Sequence, residues 1–337
     1  MLRAAIIGLG DVSPVHRLGI ESSENGELVA VCDVNEAMKV KYPDIPFYTD
    51  VETMLDNEKL DVVHICLPHY LHYPITKLCV EKGLHVFQEK PLSLSYEEGL
   101  KTVEIAENSD KKVGVCFQNR YNKTFIKLRQ LLRYGNVGEV IAVKGLVAWN
   151  RPETYYTLKP WRGEVEYAGA GSIINQAIHT LDLMQVIGGD LDKCKASLSN
   201  LTDYDIEVED TAVANFTFKN GARGFYMSTN AYAENSSVEL QVITKNYKFT
   251  IKDNRLYRTD SNGEKEVLLQ DAALKGSKSY YGPSHSTLIQ RFYNAIEEDT
   301  NDYVTVREAL PAMLMIDAMK LSSKENRTIE AEEIING

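Results

Sequence analysis

The chain of 337 residues has fewer basic than acidic residues, only five cysteines and no long apolar run. Its formal net charge of −11 leaves no basic stripe that would bind a nucleic-acid polymer. No apolar run approaches the length of a membrane span, and the N-terminus resembles a strand rather than a signal peptide, so we expect a cytoplasmic protein. The cysteines include no CxxC pair, which favours reduced core thiols over disulfides or a metal site; they are Cys32, Cys66, Cys79, Cys116 and Cys194.

The beginning of the chain contains closely spaced glycines between two apolar runs. Residues 2–7 lead into Gly8 and Gly10, and residues 28–32 lead into Asp33. Glycines at this spacing permit a tight turn and close approach of a pyrophosphate to a helix N-terminus, and the later acid accepts hydrogen bonds from a ribose hydroxyl. Ser13 replaces the usual third glycine or alanine, and an ordinary strand-to-helix turn is the alternative. The pattern predicts a dinucleotide site formed by Gly8, Leu9, Gly10, Asp11, Val12 and Asp33.

The hydrophobic pattern changes near residue 120. Before it, apolar strands at 2–7, 28–32, 62–67, 85–87 and 113–117 alternate with helical stretches at 51–60, 73–82 and 96–109, which is typical of a doubly wound parallel sheet. After it, strands at 140–147, 212–218, 222–228, 238–244 and 247–251 are joined by short turns such as 219–221, which favours antiparallel pairing. The pattern predicts an α/β domain over 1–120 and an α+β domain over 121–337, whose last helix packs back on the first domain.

Polar residues follow three of the predicted parallel strands. Ligands of open α/β sheets bind beyond the carboxyl ends of the strands, so these segments are the best candidates for a site. Pro91 favours an extended conformation at Lys90, which then points along the strand direction. Taken alone, Lys90 is equally well explained as a solvated loop lysine. The three segments are Pro68-His69-Tyr70-Leu71-His72, Gln88-Glu89-Lys90-Pro91 and Gln118-Asn119-Arg120-Tyr121-Asn122.

A second cluster lies in the glycine-rich segment that begins at Gly169. Asn175, His179 and Asp182 are spaced at i, i+4 and i+7, so the sequence predicts that they share one face of an otherwise apolar helix. A buried polar stripe needs hydrogen-bond partners or a ligand. A hydrogen-bonded core histidine is the alternative for His179.

These motifs together closely resemble the Gfo/Idh/MocA family of nicotinamide-dependent oxidoreductases. The residues that carry the resemblance are the Gly8-Leu9-Gly10 turn, Asp33, Glu89-Lys90-Pro91, Asn175 and His179, and it extends over nearly the whole chain. It implies a Rossmann domain followed by an open, mostly antiparallel sheet of the dihydrodipicolinate reductase-like type. That second sheet would cover the nicotinamide and mediate a homodimer or homotetramer.

The resemblance also implies roles for individual residues. Lys90 would be the catalytic lysine, and His179 would be catalytic or bind substrate. Arg120 could instead brace a hinge, and His285 could instead cap a helix over residues 286–296. The implied substrate contacts are Asn175, Arg120, Tyr121 and His285. The implied cofactor contacts beyond the opening turn are Leu67, Pro68, His69, His72, Glu89, Lys90, Gln118, Trp161 and Arg162.

The chain departs from the family pattern at two positions. Asn175 occupies a place where many members have aspartate, and an amide cannot accept a proton at neutral pH. His69 occupies a place where asparagine is frequent. No His, Cys, Asp or Glu grouping has the sequence spacing of a metal site, so we expect none.

The chemistry implied is hydride transfer at a secondary alcohol of a sugar, cyclitol or related polyol. Lys90 would donate or accept the proton, His179 would assist, and Asn175 would orient the substrate. Asp33 would repel a 2′-phosphate, which favours NAD(H), although the nearby Lys39 and Lys41 leave NADP(H) possible. A dehydrogenase of a non-sugar diol and a non-catalytic NAD(P)-binding sensor are the alternatives.

Overall fold

The computed structural model describes residues 1–272 and 284–337. The chain divides into two compact units. The first contains Met1–Ser93, Glu97–Gln118 and Ser284–Leu310, and the second contains Leu94–Tyr96, the chain from Asn119 to the gap, and Pro311–Gly337. Within the described residues, no helix has both the length and the apolar character needed to cross a membrane.

Fifteen strands and twelve α-helices are formed by the described residues. The strands are β1 (Leu2–Ile7), β2 (Gly26–Cys32), β3 (Phe47–Tyr48), β4 (Val62–Ile65), β5 (His85–Gln88), β6 (Val113–Val115), β7 (Val140–Ala148), β8 (Leu191–Ser199), β9 (Thr211–Phe218), β10 (Arg223–Thr229), β11 (Glu239–Thr244), β12 (Lys248–Lys252), β13 (Arg255–Thr259), β14 (Lys265–Gln270) and β15 (Ile329–Glu330). The helices are α1 (Ser13–Glu21), α2 (Val51–Asn57), α3 (His72–Glu81), α4 (Tyr96–Glu107), α5 (Lys123–Tyr134), α6 (Thr154–Thr157), α7 (Val165–Ala168), α8 (Ser172–Asn175), α9 (Ile178–Gly188), α10 (His285–Glu297), α11 (Val306–Glu325) and α12 (Ala331–Ile335).

The first unit is built on a six-stranded sheet with the order β3-β2-β1-β4-β5-β6. All of its strand pairs are parallel, which confirms the predicted doubly wound sheet. The central strands β1 and β4 are mostly apolar, and β4 and the last four residues of β1 are buried, because helices cover both sides of the sheet. The segment that returns to this unit late in the chain is α10, which packs against α1, whereas the last helix, α12, belongs to the second unit.

The second unit is built on a nine-stranded sheet with the order β14-β13-β12-β11-β7-β10-β9-β8-β15. Among the described strand pairs of this second sheet, only β7 and β10 run in parallel, so the predicted mostly antiparallel sheet is confirmed. The predicted hairpin joins β9 to β10, where Gly221 has a φ of +85°. On one face, α9 packs closely against Gly145 of β7. The opposite face presents Phe225, which is 42% exposed.

The predicted single helix through Asn175, His179 and Asp182 is wrong. The segment forms two helices, because α8 ends at Asn175 and α9 begins at Ile178. Gln176 lies at the break, where its side chain is held by the hydroxyl of Tyr155 and by Asn230. The three polar residues therefore do not form one stripe.

Candidate active site

The glycine turn after β1 has the geometry of a dinucleotide-binding turn. Gly8 has a φ of +88°, and a Cβ there would lie 2.6 Å from the carbonyl oxygen of Cys66, so only glycine fits. Gly10 and Asp11 are exposed, and α1 begins two residues later without a side-chain cap at Val12. The first N–H groups of α1 therefore lie beside an open, anion-accepting turn.

Asp33 connects this turn to the end of β2. One carboxylate oxygen accepts a hydrogen bond from the N–H of Leu9 at 2.7 Å, and the other accepts from the N–H of Asn35 at 2.9 Å. Lys39 and Lys41 are exposed in the following 3₁₀ turn. A turn that excludes a Cβ, a helix N-terminus and an acid at the neighbouring strand end fit an adenine dinucleotide.

Buried polar side chains hold the loop after β5 in place. Gln88 is fully buried, and its side-chain amide donates to the carbonyl oxygens of Pro91 and Leu92, each at 2.9 Å. The ring nitrogens of His72 lie 2.7 Å from the carbonyl oxygen of Pro91 and 2.9 Å from that of Leu67. These contacts fix the backbone that follows Lys90, and Lys90 itself is half-buried.

Glu89, the residue before Lys90 in the chain, is buried and has several basic neighbours. Its carboxylate oxygen lies 2.9 Å from His16 Nε2 and 4.0 Å from His285 Nε2. Burial raises the pKa of the Glu89 carboxyl, but the hydrogen bond from His16 and the charges of neighbouring groups outweigh it and hold the pKa below its usual range. These charged neighbours are His16, His285 and Lys90.

The contacts of Glu89 continue into a network that the sequence does not reveal. His16 Nδ1 lies 2.9 Å from His64 Nδ1, and His64 Nε2 lies 2.8 Å from the hydroxyl of Tyr293. Ligand-type atoms of His16, Glu89 and Cys116 lie within 4.8 Å of one another. We interpret this cluster as hydrogen-bonded rather than metal-binding, because His16 and Glu89 bond to each other. Burial, together with the charge of Glu89, raises the pKa of the Cys116 thiol well above its ordinary value.

One signal could have indicated this network. His64 lies within the apolar run of β4, where a buried polar side chain requires a partner. The partners themselves, on α1 and α10, come from distant parts of the sequence, so spacing could not identify them.

In the second unit, Arg120 and Asp182 form a buried ion pair. The guanidinium donates two hydrogen bonds to the carboxylate, from Nε at 2.9 Å and from Nη2 at 2.6 Å, and both side chains are buried. This bidentate pair holds the Arg120 guanidinium against Asp182 within the second unit, and substrate binding by Arg120 stays a prediction. Tyr121, the residue after Arg120 in the chain, is half-buried.

Asn175 is the last residue of α8, His179 lies in α9, and Glu209 anchors the beginning of α8. The Glu209 carboxylate accepts hydrogen bonds from the N–H groups of Gly171 at 2.7 Å and Ile173 at 2.9 Å, at the beginning of α8. Burial raises the pKa of Glu209, and these backbone donors oppose that rise. His179 is buried in the first turn of α9, whereas Asn175 is half-buried.

Trp161 and Arg162 belong to an aromatic cluster of the second unit. The Arg162 guanidinium stacks over the ring of Tyr155 at 4.0 Å, and the Tyr155 hydroxyl accepts a hydrogen bond from Gln176 at 2.7 Å. This cluster therefore reaches the break between α8 and α9. Gln176 and Tyr155 are neighbours of the candidate site that the sequence analysis did not single out.

The other predicted residues are distributed between the two units. In the first unit, the predicted cofactor contacts lie at the carboxyl ends of β1, β2, β4, β5 and β6: Gly8, Leu9, Gly10, Asp11, Val12, Asp33, Leu67, Pro68, His69, Glu89, Lys90 and Gln118. His72 is fully buried, so its part is to hold the loops. His285 begins α10 and faces Glu89, and residues 280–283, just before it, lie outside the described residues.

Two family models match the sequence. A model described as "Oxidoreductase family, NAD-binding Rossmann fold" matches residues 2–117, and a model described as "GFO/IDH/MocA C-terminal domain" matches residues 125–249. The chain belongs to the Gfo/Idh/MocA oxidoreductase family. Its first unit is thus an NAD-binding Rossmann domain.

Relatives with named activities cover most of this Gfo/Idh/MocA chain. Myo-inositol 2-dehydrogenase of Thermotoga maritima is 23% identical over 99% of this chain and 100% of its own length. D-glucoside 3-dehydrogenase of Escherichia coli is 29% identical over 80% of this chain and 82% of its own length. The crystal structure of the WlbA dehydrogenase from Chromobacterium violaceum with NADH and UDP-GlcNAcA superposes with a TM-score of 0.86, at 26% identity, covering 98% of this chain and 95% of that one.

Proposed function

We propose that this protein is an NAD-dependent dehydrogenase or reductase that acts on a secondary alcohol or ketone of a sugar, cyclitol or related polyol. The proposal depends mainly on the buried side chains around the Lys90 loop, which are Gln88, His72 and Glu89. Hydrogen bonds from Gln88 and His72 hold this loop at the same edge of the sheet as the glycine turn. A protein that only binds the dinucleotide needs no such support for a lysine. The named relatives, which act on an inositol and a glucoside, agree with the substrate class.

The reaction requires a proton and a hydride to leave the same alcohol. Bound NAD⁺ accepts the hydride, and the proton must pass to a group within hydrogen-bond reach of the hydroxyl. We assign this role to Lys90, which takes the proton as an amine during oxidation and donates it as an ammonium during reduction. The carboxylate of Glu89 favours the ammonium form and therefore assists the reduction direction. His179 assists the transfer, and Asn175 orients the substrate through hydrogen bonds that do not move a proton.

Cofactor contacts are assigned to the residues at the strand ends. The glycine turn and the N-terminus of α1 would hold the pyrophosphate, and Asp33 would accept hydrogen bonds from the adenine ribose. Leu67, Pro68, His69 and Gln118 follow neighbouring strands, and Trp161 and Arg162 are assigned to the cofactor by family resemblance. The charge of Asp33 favours NAD(H) over NADP(H).

The open face of the second sheet suits pairing with another copy of this chain. Val213, Met227 and Leu146 are cross-strand neighbours there and are half-buried, beside the exposed Phe225. We propose a homodimer or homotetramer through this face, because a contiguous apolar patch on a sheet is typical of an interface. Light scattering during size-exclusion chromatography measures the number of chains in the oligomer. We further propose a reducing, cytoplasmic location, in keeping with five buried cysteines that form no disulfide.

The proposed activity is tested by a panel of inositols, glucosides, anhydrosugars and non-sugar diols with NAD⁺, and of the corresponding ketones with NADH. Turnover is read from NADH absorbance. We expect oxidation of at least one cyclic polyol. Tight NADH binding without turnover in either direction would favour the sensor, and turnover of non-sugar diols alone would favour the alternative dehydrogenase.

A further inference from the structure

Arg151 is a buried cation in the second unit, shortly after the carboxyl end of β7. The residue is only 8% exposed. Its Nη1 donates to the carbonyl oxygen of Asn150 at 2.7 Å and to the side-chain oxygen of Asn235 at 2.8 Å. Both acceptors are neutral, so the hydrogen bonds of the guanidinium do not compensate its positive charge.

No carboxylate of this chain serves as the counter-ion of Arg151. In the described part of the chain, no Asp or Glu forms an ion pair with its guanidinium. Glu153 and Glu234, the acids nearest to these contacts in the sequence, are exposed. Residues 273–283 have no Asp or Glu in their sequence. Because buried charges in proteins are normally paired with an opposite charge, the arrangement indicates a bound anion.

The contacts of Arg151 leave one edge of the guanidinium available to a ligand. Its central carbon lies 5.0 Å from the ring centroid of Trp149 and 5.5 Å from that of Tyr155. Nη1 is engaged, whereas no described residue accepts a hydrogen bond from Nε or Nη2. These two atoms are not among the sealed polar atoms that lack a partner in the described chain, so they are accessible. The Nε–Nη2 edge presents two parallel N–H groups, which match two oxygens of a carboxylate or phosphate.

Arg151 is connected to the break between α8 and α9. Its backbone N–H donates to the carbonyl oxygen of Asn230 at 2.9 Å, and the Asn230 side chain donates to Gln176 at 2.9 Å. Tyr155, whose ring lies beside the guanidinium, accepts a hydrogen bond from Gln176 at 2.7 Å. Gln176 directly follows Asn175, the residue assigned to orient the substrate. An anion on Arg151 is therefore close to the proposed substrate contacts of the second unit.

We propose that Arg151 is a specificity-determining residue that binds an anionic group of the substrate, a carboxylate or a phosphate, through Nε and Nη2. The inference rests on the proposed function and narrows its substrate class to an acidic sugar or cyclitol. A neutral sugar leaves the buried charge without a counter-ion and therefore binds less tightly. We assign the anion to the substrate rather than to the dinucleotide, because the pyrophosphate is assigned to the glycine turn of the first unit.

Calorimetric titration of the full chain in saturating NADH tests this preference without requiring turnover. The acidic ligands are D-glucuronate, D-galacturonate and D-glucose 6-phosphate, and their neutral counterparts are D-glucose and D-galactose. We expect at least one acidic ligand to bind at least about tenfold more tightly than its neutral counterpart, which is the order of a charge-assisted hydrogen bond. The uronates and the phosphate distinguish the two kinds of anion. No preference for any acidic ligand in the wild type would overturn the proposal.

Arg151→Met removes the charge but keeps an unbranched side chain. We expect this variant to lose the preference for the acidic ligand, while its affinity for the neutral sugar stays within about threefold of the wild type. Arg151→Lys is a second variant in case Arg151→Met does not fold; it keeps the charge without the planar fork, so it should keep only part of the preference.

The matched control is Arg223→Met. This change removes the same charge from the exposed start of β10, about 20 Å from the end of β10 that pairs with the end of β7. It should leave the preference for the acidic ligand unchanged.

The proposal and the proposed function fail separately. An unchanged acid preference in Arg151→Met and Arg151→Lys would overturn the anion site even if the enzyme is active. A tenfold or greater loss of NADH affinity in Arg151→Met, with sugar binding unchanged, would also overturn it, since the anion would then belong to the dinucleotide. Acidic sugars that bind through Arg151 but are never oxidised would refute the activity and support the anion site.

Discussion

Replacing Asp33 by asparagine should change the choice between NADH and NADPH. The substitution keeps the size of the side chain and one oxygen that accepts from the N–H of Leu9, so the glycine turn keeps its shape. It removes the negative charge at the end of β2. A ribose hydroxyl bonded to this carboxylate places a 2′-phosphate within about 5 Å of it.

The size of the effect follows from this distance. At an effective dielectric constant of about 20, two unit charges about 5 Å apart repel by roughly 3 kcal/mol, which is about a hundredfold in affinity. The loss of a charged acceptor for the ribose costs NADH about 1 kcal/mol. Both effects favour NADPH and together amount to about 4 kcal/mol, so we expect Asp33→Asn to shift the ratio of NADPH to NADH affinity by nearly a thousandfold in favour of NADPH.

Fluorescence titration of both dinucleotides in one buffer measures the ratio. The matched control is Glu27→Gln, which removes the same charge from the opposite, exposed end of β2, about 20 Å away and beyond the Debye length at physiological salt. It should leave the ratio unchanged. If Asp33→Asn also leaves the ratio within about threefold of the wild type, Asp33 does not contact the ribose and the placement of the cofactor is wrong.

Two further predictions concern the supports of the second unit. A Cβ added by Gly171→Ala would overlap the backbone carbonyl of Glu209, so we expect the free energy of unfolding in urea to fall by about 2–3 kcal/mol. The control Gly221→Ala should lower it by about 1 kcal/mol, because its Cβ meets no atom within 4 Å. Equal losses in the two variants would refute the close approach at Gly171. Asp182→Asn removes the carboxylate charge that pairs with the buried Arg120 and should cost about 3–5 kcal/mol by the same measurement. Adding Arg120→Met should recover part of this loss, whereas simply additive losses would contradict a coupled pair.

Most of the fold could be predicted because its strands have distinct hydrophobic patterns. The parallel strands are continuous apolar runs, and the hairpin at Gly221 has a clear turn signal. Strands β3 and β15 were missed because each has only two residues and depends on its neighbours for pairing. Strand β8 was missed because its sequence, Leu191–Ser199, is rich in polar residues and lies largely exposed on one face.

The site was predictable where its residues directly follow a parallel strand. The glycine turn, Asp33 and the loop at Lys90 each follow a strand directly, so strand order alone places them at one edge. The buried network around Glu89 was not predictable, since His16 and Tyr293 each meet His64 only after the chain folds. The break at Gln176 also depends on tertiary contacts, because its local sequence favours one continuous helix.

Lys90→Met tests the central claim most directly, because the change removes the ammonium but keeps a side chain of similar length. The measurement is single-turnover hydride transfer with a substrate from the polyol panel, together with NADH affinity on the same preparation. We expect the rate to fall by at least about a thousandfold while NADH affinity stays within about threefold of the wild type. Hydride transfer at a rate near that of the wild type would show that another group moves the proton, and would contradict the account.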